Sequence, residues 1–281
     1  MTHAIPGNGL VIGVDIGGTK IAAGAVDHTG SILQQIRTPM VAGAGATAGL
    51  AAVISAIKAV VENLGAGSAL PKAISGIGLC APGPLDPNSG VVINPPNLPC
   101  WRNYPLASEV AKAFALPVKL DNDANAAALA EAKWGAARGY GSVFYATLGT
   151  GIGTGIVFDG KIYHGRTGAA AEGGHISIDY RGPRCGCGKP GCIEALAAGP
   201  AIARRARARL AAGGRSALLE LAGGKADAVS SKMVGQAYAA GDALAREVLL
   251  ETVELLALWL GNMVDLLEPD VMVMGAEWPR C

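Results

Sequence analysis

Neither sign of charge dominates this sequence. Its 281 residues hold 23 Lys and Arg against 22 Asp and Glu, a formal net charge of +1. No global field therefore favours nucleic acid or an anionic membrane as a partner, and a small molecule is expected instead. Secretion signals are missing too. The opening MTHAIPGNGLVIGVDIGG has no basic n-region and no uninterrupted apolar stretch before a cleavage site. The most hydrophobic segment, 248–267, is broken by Glu251, Glu254 and Asp265, so a buried amphipathic helix is expected there and not a membrane span. Histidine and cysteine are scarce, at four and six residues. Cys185, Cys187 and Cys192 fall too close together for an ordinary disulfide framework, while Cys80, Cys100 and Cys281 are scattered. This usage fits a reducing compartment, and the cytoplasm is the expected location.

What is abundant is glycine, with 41 residues, in a chain that is 51% hydrophobic and only 5% aromatic. That balance predicts an α/β protein with many tight turns, and the length allows two domains flanking a cleft. The boundary is expected to divide residues 1–118 from 119–281. Residues 10–27 read as strand, Gly-Gly turn and strand. A helical stretch follows over Thr47–Leu64, then a strand over 74–80, the loops APGPLDPNSG and NPPNLPCW, a strand VKLD at 118–121 and an Ala-rich helix ending near Gly135. Laid over residues 9–28 with an offset of 132, residues 141–160 repeat the plan of strand, glycine turn and strand. The remainder, 197–267, reads as helical and closes on the apolar strand DVMVMG.

Two glycine turns carry the first chemical signal. In DIGGTK, Gly17 and Gly18 expose backbone N–H groups that could cradle a phosphate beside the Thr19 hydroxyl and Lys20, with Asp15 placed to hold Mg²⁺ directly or through water. Alone, such a tip is usually just a hairpin turn. The second turn, LGTGIGTG, adds Gly149, Thr150, Gly151, Gly153 and Thr154, and a matched pair suits a polyphosphate. Neither turn fits a Walker A or dinucleotide fingerprint, so ATP is expected in preference to NAD.

Within DNDAN, any of Asp121, Asn122 and Asp123 could cap the helix that follows, which would leave one carboxylate at a strand's C-terminal end able to take a proton from an attacking hydroxyl. The segment EGGHISIDYRGPRCGCGKPGCIE, 172–194, supplies His175, Cys185, Cys187 and Cys192, a Cys₃His set suited to structural Zn²⁺. Glu172 and Glu194 bracket it and would be drawn together as the loop closes, forming acceptors for sugar hydroxyls beside the imidazole. RRARAR, 204–209, reads as a solvated helix face.

DIGGTK, PGPLD, PPNLPCW, DNDANAAALAE, LGTGIGTGIVFDGKIYHG, AAEGGH and CGCGKPGCIE, in that order over nearly the whole chain, resemble the ROK family of sugar kinases and sugar-responsive repressors. The resemblance implies an actin-like, ribonuclease-H-like fold of two domains closing over ATP-Mg²⁺ and a hexose. It implies that Asp123 is the general base toward the sugar 6-hydroxyl, that Asn122, Gly83, Glu172, His175 and Glu194 contact the sugar, and that His175 with the three cysteines holds zinc. A homodimer is also implied. The first strand begins near Leu10, leaving no room for a leading DNA-binding domain, so a kinase is expected over a repressor. NLPCW and GAAAEGGH look most like the glucose-phosphorylating members, with other hexoses and N-acetylhexosamines as alternatives. Family members continue past the last strand with a glycine-rich turn and a returning helix, whereas AEWPRC ends this chain. A sugar-binding protein with impaired kinase activity is therefore the second expectation.

Overall fold

In the computed structural model, residues 9–65 and 74–276 are described. Cys281 and the AEWPRC tail beyond Ala276 lie outside them, as does most of the N-terminal stretch read for a signal. Two compact units emerge, Met1–Gly135 with Tyr163–Ala170, and Ala136–Ile162 with Ala171–Cys281.

The first unit is built on a five-stranded sheet. Strands β1 (Leu10–Ile16), β2 (Lys20–Val26) and β3 (Ile32–Pro39) form an antiparallel meander. Helix α1 (Ala46–Asn63) follows, then β4 (Ile74–Ala81), which lies parallel to β1. The short hairpin β5 (Leu85–Asp86) and β6 (Val91–Val92) leads to α2 (Leu106–Phe114), and β7 (Val118–Asn122) completes the order β3-β2-β1-β4-β7. Alternation sends Ile12, Val14 and Ile16 of β1 and Ile21, Ala23 and Ala25 of β2 into the core. There they meet Val53, Ala56, Ile57, Val60 and Val61 of α1, spaced as one helical stripe. By length and composition α1 could cross a membrane. Its stripe is instead filled by this sheet. The loop read as NPPNLPCW is more than a connector, for Leu98 and Trp101 are fully buried and Trp101 stacks on Tyr104 at 5.8 Å.

Because β7 pairs with β4 from Ile77/Val118 to Ala81/Asn122, it cannot belong to a second domain. The division expected after residue 118 therefore falls after Gly135, once α3 (Asp123–Trp134) has run its course from the end of β7.

The second unit repeats the arrangement. Strands β8 (Ser142–Leu148), β9 (Ile152–Phe158) and β10 (Lys161–Ile162) form a meander, and β11 (Val271–Ala276) pairs parallel with β8, giving β10-β9-β8-β11. The offset of 132 residues takes Leu10 to Ser142 and Lys20 to Ile152, so it maps strand start onto strand start. Between β10 and β11 run α4 (Ile193–Ala197), α5 (Gly199–Ala211), α6 (Leu218–Leu221), α7 (Ser231–Ala239) and α8 (Ala243–Leu267). Phe144 of β8 packs edge-on against the fully buried Trp259 of α8, with ring centroids 5.8 Å apart.

One expectation fails in this unit and another is met in part. The arginines of α5 do not form a solvated face: Arg205 bonds Leu196 O and Thr252 Oγ1, Arg207 bonds Val229 O through both Nε and Nη2, and Arg209 meets Glu251 at 2.8 Å. Arg204 alone of the four is exposed. The apolar segment 248–267 is helical but only partly buried. Val248, Trp259 and Met263 point inward, while Val253, Leu258 and Leu266 are exposed.

Candidate active site and metal centre

In the first unit the chemistry collects at strand ends. Asp15 on β1 stands opposite Cys80 on β4, and Cys80 opposite Asp121 on β7, so the three side chains share one row near the C-terminal ends of parallel strands. Cys80 donates weakly to Val14 O at 3.6 Å and Asp15 Oδ1 at 3.8 Å. Burial, then the charges of Asp15 and Asp123, push its thiol far above the ordinary range, which disfavours the thiolate. Asp15 remains solvent-accessible, yet its pKa is raised, first by desolvation and then by the charge of Asp123.

The question of which residue caps α3 is settled in favour of Asn122. Its backbone is extended (φ −70°, ψ 148°) and its Oδ1 accepts from Ala124 N at 2.9 Å and Asn125 N at 3.3 Å. Asp121 is engaged elsewhere. Its Oδ1 takes Asn122 N at 2.8 Å and Asn125 Nδ2 at 3.1 Å, and its Oδ2 meets His164 Nε2 at 2.7 Å. Asp123 accepts from Ala124 N through Oδ1 at 2.8 Å and is exposed, so a carboxylate is left facing solvent at the strand end. Gly83 lies half-buried just past β4.

The first glycine turn is closed by Gly17 N donating to Lys20 O at 2.9 Å, and Thr19 O is tied to Met40 N at 2.9 Å. Gly18 owes its place to close packing. A Cβ there would stand 2.7 Å from Asn97 O. The Thr19 and Lys20 side chains are exposed, as a phosphate cradle requires.

In the second unit the corresponding turn is closed by Gly149 N donating to Gly151 O at 2.9 Å, and Thr150 is exposed. A Cβ on Gly151 would meet Glu194 Oε2 at 2.6 Å, because Glu194 reaches over the turn to accept from Ile152 N at 3.0 Å. Gly153 is half-buried within β9. Thr154, read from the sequence as a phosphate-loop hydroxyl, is 4% exposed and spent on the backbone. It donates to Ala171 O and accepts from Gly173 N at 2.7 Å.

Those contacts fix the 3₁₀ turn Gly173–His175. Trp259 Nε1 adds a bond to Gly173 O at 3.1 Å, and a side chain at Gly174 would collide with Ile152 O. The imidazole so placed joins the cysteines. Donor atoms of His175, Cys185, Cys187 and Cys192 all lie within 4.8 Å of one another. His175 Nδ1 stands 3.5 Å from Cys185 Sγ, and Cys187 Sγ 3.6 Å from Cys192 Sγ. Ligands about 2.0–2.3 Å from one tetrahedral ion stand roughly 3.5–3.8 Å apart, so the set fits a single metal. Burial raises the Cys185 thiol and pushes Cys192 up to about 12, while hydrogen bonding from Lys189 N lowers Cys187. Glu194 Oε1 lies 3.9 Å from His175 Nδ1. Glu172 is exposed, and its carbonyl accepts from His175 N at 3.0 Å.

The anticipated residues thus fall into two groups. Asp15, Gly17–Lys20, Gly83, Asn122 and Asp123 belong to the first unit; Gly149–Gly153, Glu172, His175, Glu194 and the cysteines belong to the second. Sequence reasoning missed His164 and Asn125, although a histidine in a chain with only four was a usable signal.

The sequence model of the ROK family matches residues 11–278. The glucokinase of Streptomyces coelicolor is 38% identical over 95% of this chain and 81% of its own. The glucokinase of Thermotoga maritima is 37% identical over 96% and 82%. A crystal structure of a ROK family glucokinase from Streptomyces griseus in complex with glucose and AMPPNP superposes with a TM-score of 0.77 at 37% identity, covering 95% of this chain and 83% of that one. With these likenesses spanning both units, the chain belongs to the ROK family and has its actin-like α/β fold.

Proposed function

We propose that the chain is an ATP-dependent glucokinase, transferring the γ-phosphoryl group of ATP to the 6-hydroxyl of glucose. The likeness to glucokinases over 95% of the chain supports the reaction. The observation that carries the mechanism is the cap of α3. Since Asn122 holds the helix N-terminus, the exposed Asp123 carboxylate is available as general base. Asp123 takes the hydroxyl proton as the sugar oxygen bonds to the γ-phosphorus, and the bond from that phosphorus to the bridging oxygen breaks to release ADP. Thr19, Lys20 and Thr150, exposed on their glycine turns, hold the phosphates. Magnesium, when held at Asp15, supplies charge neutralisation of the phosphates.

His175, Cys185, Cys187 and Cys192 hold structural zinc, with all four positions occupied by protein and none left for a reactive water. With an ion held on the Nδ1 side, beside Cys185 Sγ, Nε2 would be left as an N–H donor for a sugar hydroxyl, and Glu172 and Glu194 would accept from neighbouring hydroxyls.

A coupled assay of ADP release over glucose, mannose, fructose, allose and N-acetylhexosamines tests the reading. Glucose is expected to give the highest kcat/KM. Glucose binding by calorimetry with no ADP release for any sugar would leave a sugar-binding protein in place of a kinase.

A further inference from the structure

We propose that His164 is a positioning residue for the phosphoryl transfer, acting through Asp121 to keep Asp123 in place. The inference rests on the reading of Asp123 as general base.

Three neighbouring side chains at the start of α3 can each cap a helix, and short polar side chains at such a junction compete for the same backbone N–H groups. A loose Asp121 would be a rival to Asn122, and the exchange would rotate Asp123, whose Oδ1 already touches Ala124 N at 2.8 Å. Asp121 is not loose. Both of its oxygens are engaged, Oδ1 by Asn122 N and Asn125 Nδ2, Oδ2 by His164 Nε2 at 2.7 Å. A carboxylate only accepts, so Nε2 carries the proton in this pair.

Two further observations show that the grip is maintained at a cost. Asn125 is 3% exposed and its Oδ1 has no hydrogen-bond partner among the described residues, so the buried amide is satisfied on one side only. Its Nδ2 bond to Asp121 is what the amide gives in return. His164 lies on Tyr163–Ala170, a segment that belongs to the first unit although the chain on either side belongs to the second. That segment is closed by Ala170 N donating to His164 O at 3.2 Å, and Gly168, at φ 87°, leaves no room for a Cβ against Pro87. The imidazole is therefore delivered to Asp121 from 43 residues away on a fixed backbone.

The test compares H164F, H164Q, D123N and D123N/H164F, reading kcat, both KM values, glucose affinity by calorimetry and melting temperature. A displaced base costs on the order of 10- to 100-fold in rate, so H164F is expected to lose that much kcat while glucose affinity and melting hold. H164Q, whose amide N–H can still reach Asp121, should recover most of the loss. In the D123N background H164F should have no further effect, because the route through Asp123 is already cut. Wild-type kcat in H164F overturns the inference, as does a full additional loss in the D123N background. If D123N itself kept full kcat, the base assignment would fall and the inference with it; an impaired D123N beside an unaffected H164F sinks the inference alone. Should H164F not fold, the ¹⁵N spectrum of wild-type His164 decides, since a proton on Nδ1 with none on Nε2 would refute the pairing.

Discussion

A carboxylate at the first turn of a helix is usually absorbed by the helix, and Asp123 escapes this because Asn122 precedes it. One residue makes the N-cap and the next keeps its carboxylate exposed, while Asp121 is engaged by His164 and Asn125. Loss of a general base lowers rates by roughly 10²- to 10⁴-fold, so D123N is expected to lose that much kcat with glucose still bound, as steady-state kinetics and calorimetry on the purified variant would show. The adjacent Asp15 carries a different signature. Its pKa is raised, first by desolvation and then by the charge of Asp123. Of these residues Asp15, Asn122 and Asp123 could be named from motif alone. His164 and Asn125 could not, because their significance lies in a shared partner that only folding supplies.

Helix ends obey the same capping chemistry where no reaction is at stake. Asp242 opens α8, accepting from Ala245 N at 2.9 Å through Oδ1 and from Ala217 N at 2.8 Å through Oδ2. Desolvation opposes ionisation there, but these bonds outweigh it and hold the carboxyl below the usual range. D242A is expected to cost about 1 kcal/mol at neutral pH, the ordinary worth of a lost cap. The sign of its pH dependence follows from the lowered pKa. The wild-type advantage is complete above the unfolded carboxylate value, about 4, and fades as pH falls through the lower folded value, so urea melts at pH 7 and near pH 3 should differ and then converge. Elements with a strong local signal were legible in the sequence: both hairpins by their glycine turns, α1 by its amphipathic pattern, α3 by its alanine content and the last strand by its apolar run. β3 and α2 were not. β3 is an edge strand with no buried residue, so no apolar alternation marks it in the sequence. The arginines of α5 were misread for a related reason: charge predicts solvent, and only the tertiary fold offers the buried carbonyls of Leu196 and Val229 that draw Arg205 and Arg207 inward.

At the scale of the whole chain, one plan is used twice, and each copy spends its glycine turn differently. In the first unit Gly18 makes room for the backbone of Asn97; in the second, Gly151 makes room for the carboxylate of Glu194. The second arrangement brings the metal cluster into the account. About one zinc per chain is expected from elemental analysis, since four protein ligands close a structural site. C187S should lower zinc content, melting temperature and glucose affinity together; unchanged glucose affinity in a zinc-free variant would break the proposed link between metal and sugar. The carboxylate of Glu194 has one oxygen on the N–H of Ile152, at the second glycine turn, and the other 3.9 Å from His175 Nδ1, the nitrogen beside Cys185. A side chain bonded at one site and bordering the other can make two ligands thermodynamic partners. Whatever factor zinc contributes to nucleotide affinity, nucleotide must return to zinc affinity by reciprocity. Competition with a chelator at equilibrium, with and without ATP, should therefore show zinc affinity changed by the same factor by which zinc changes ATP affinity.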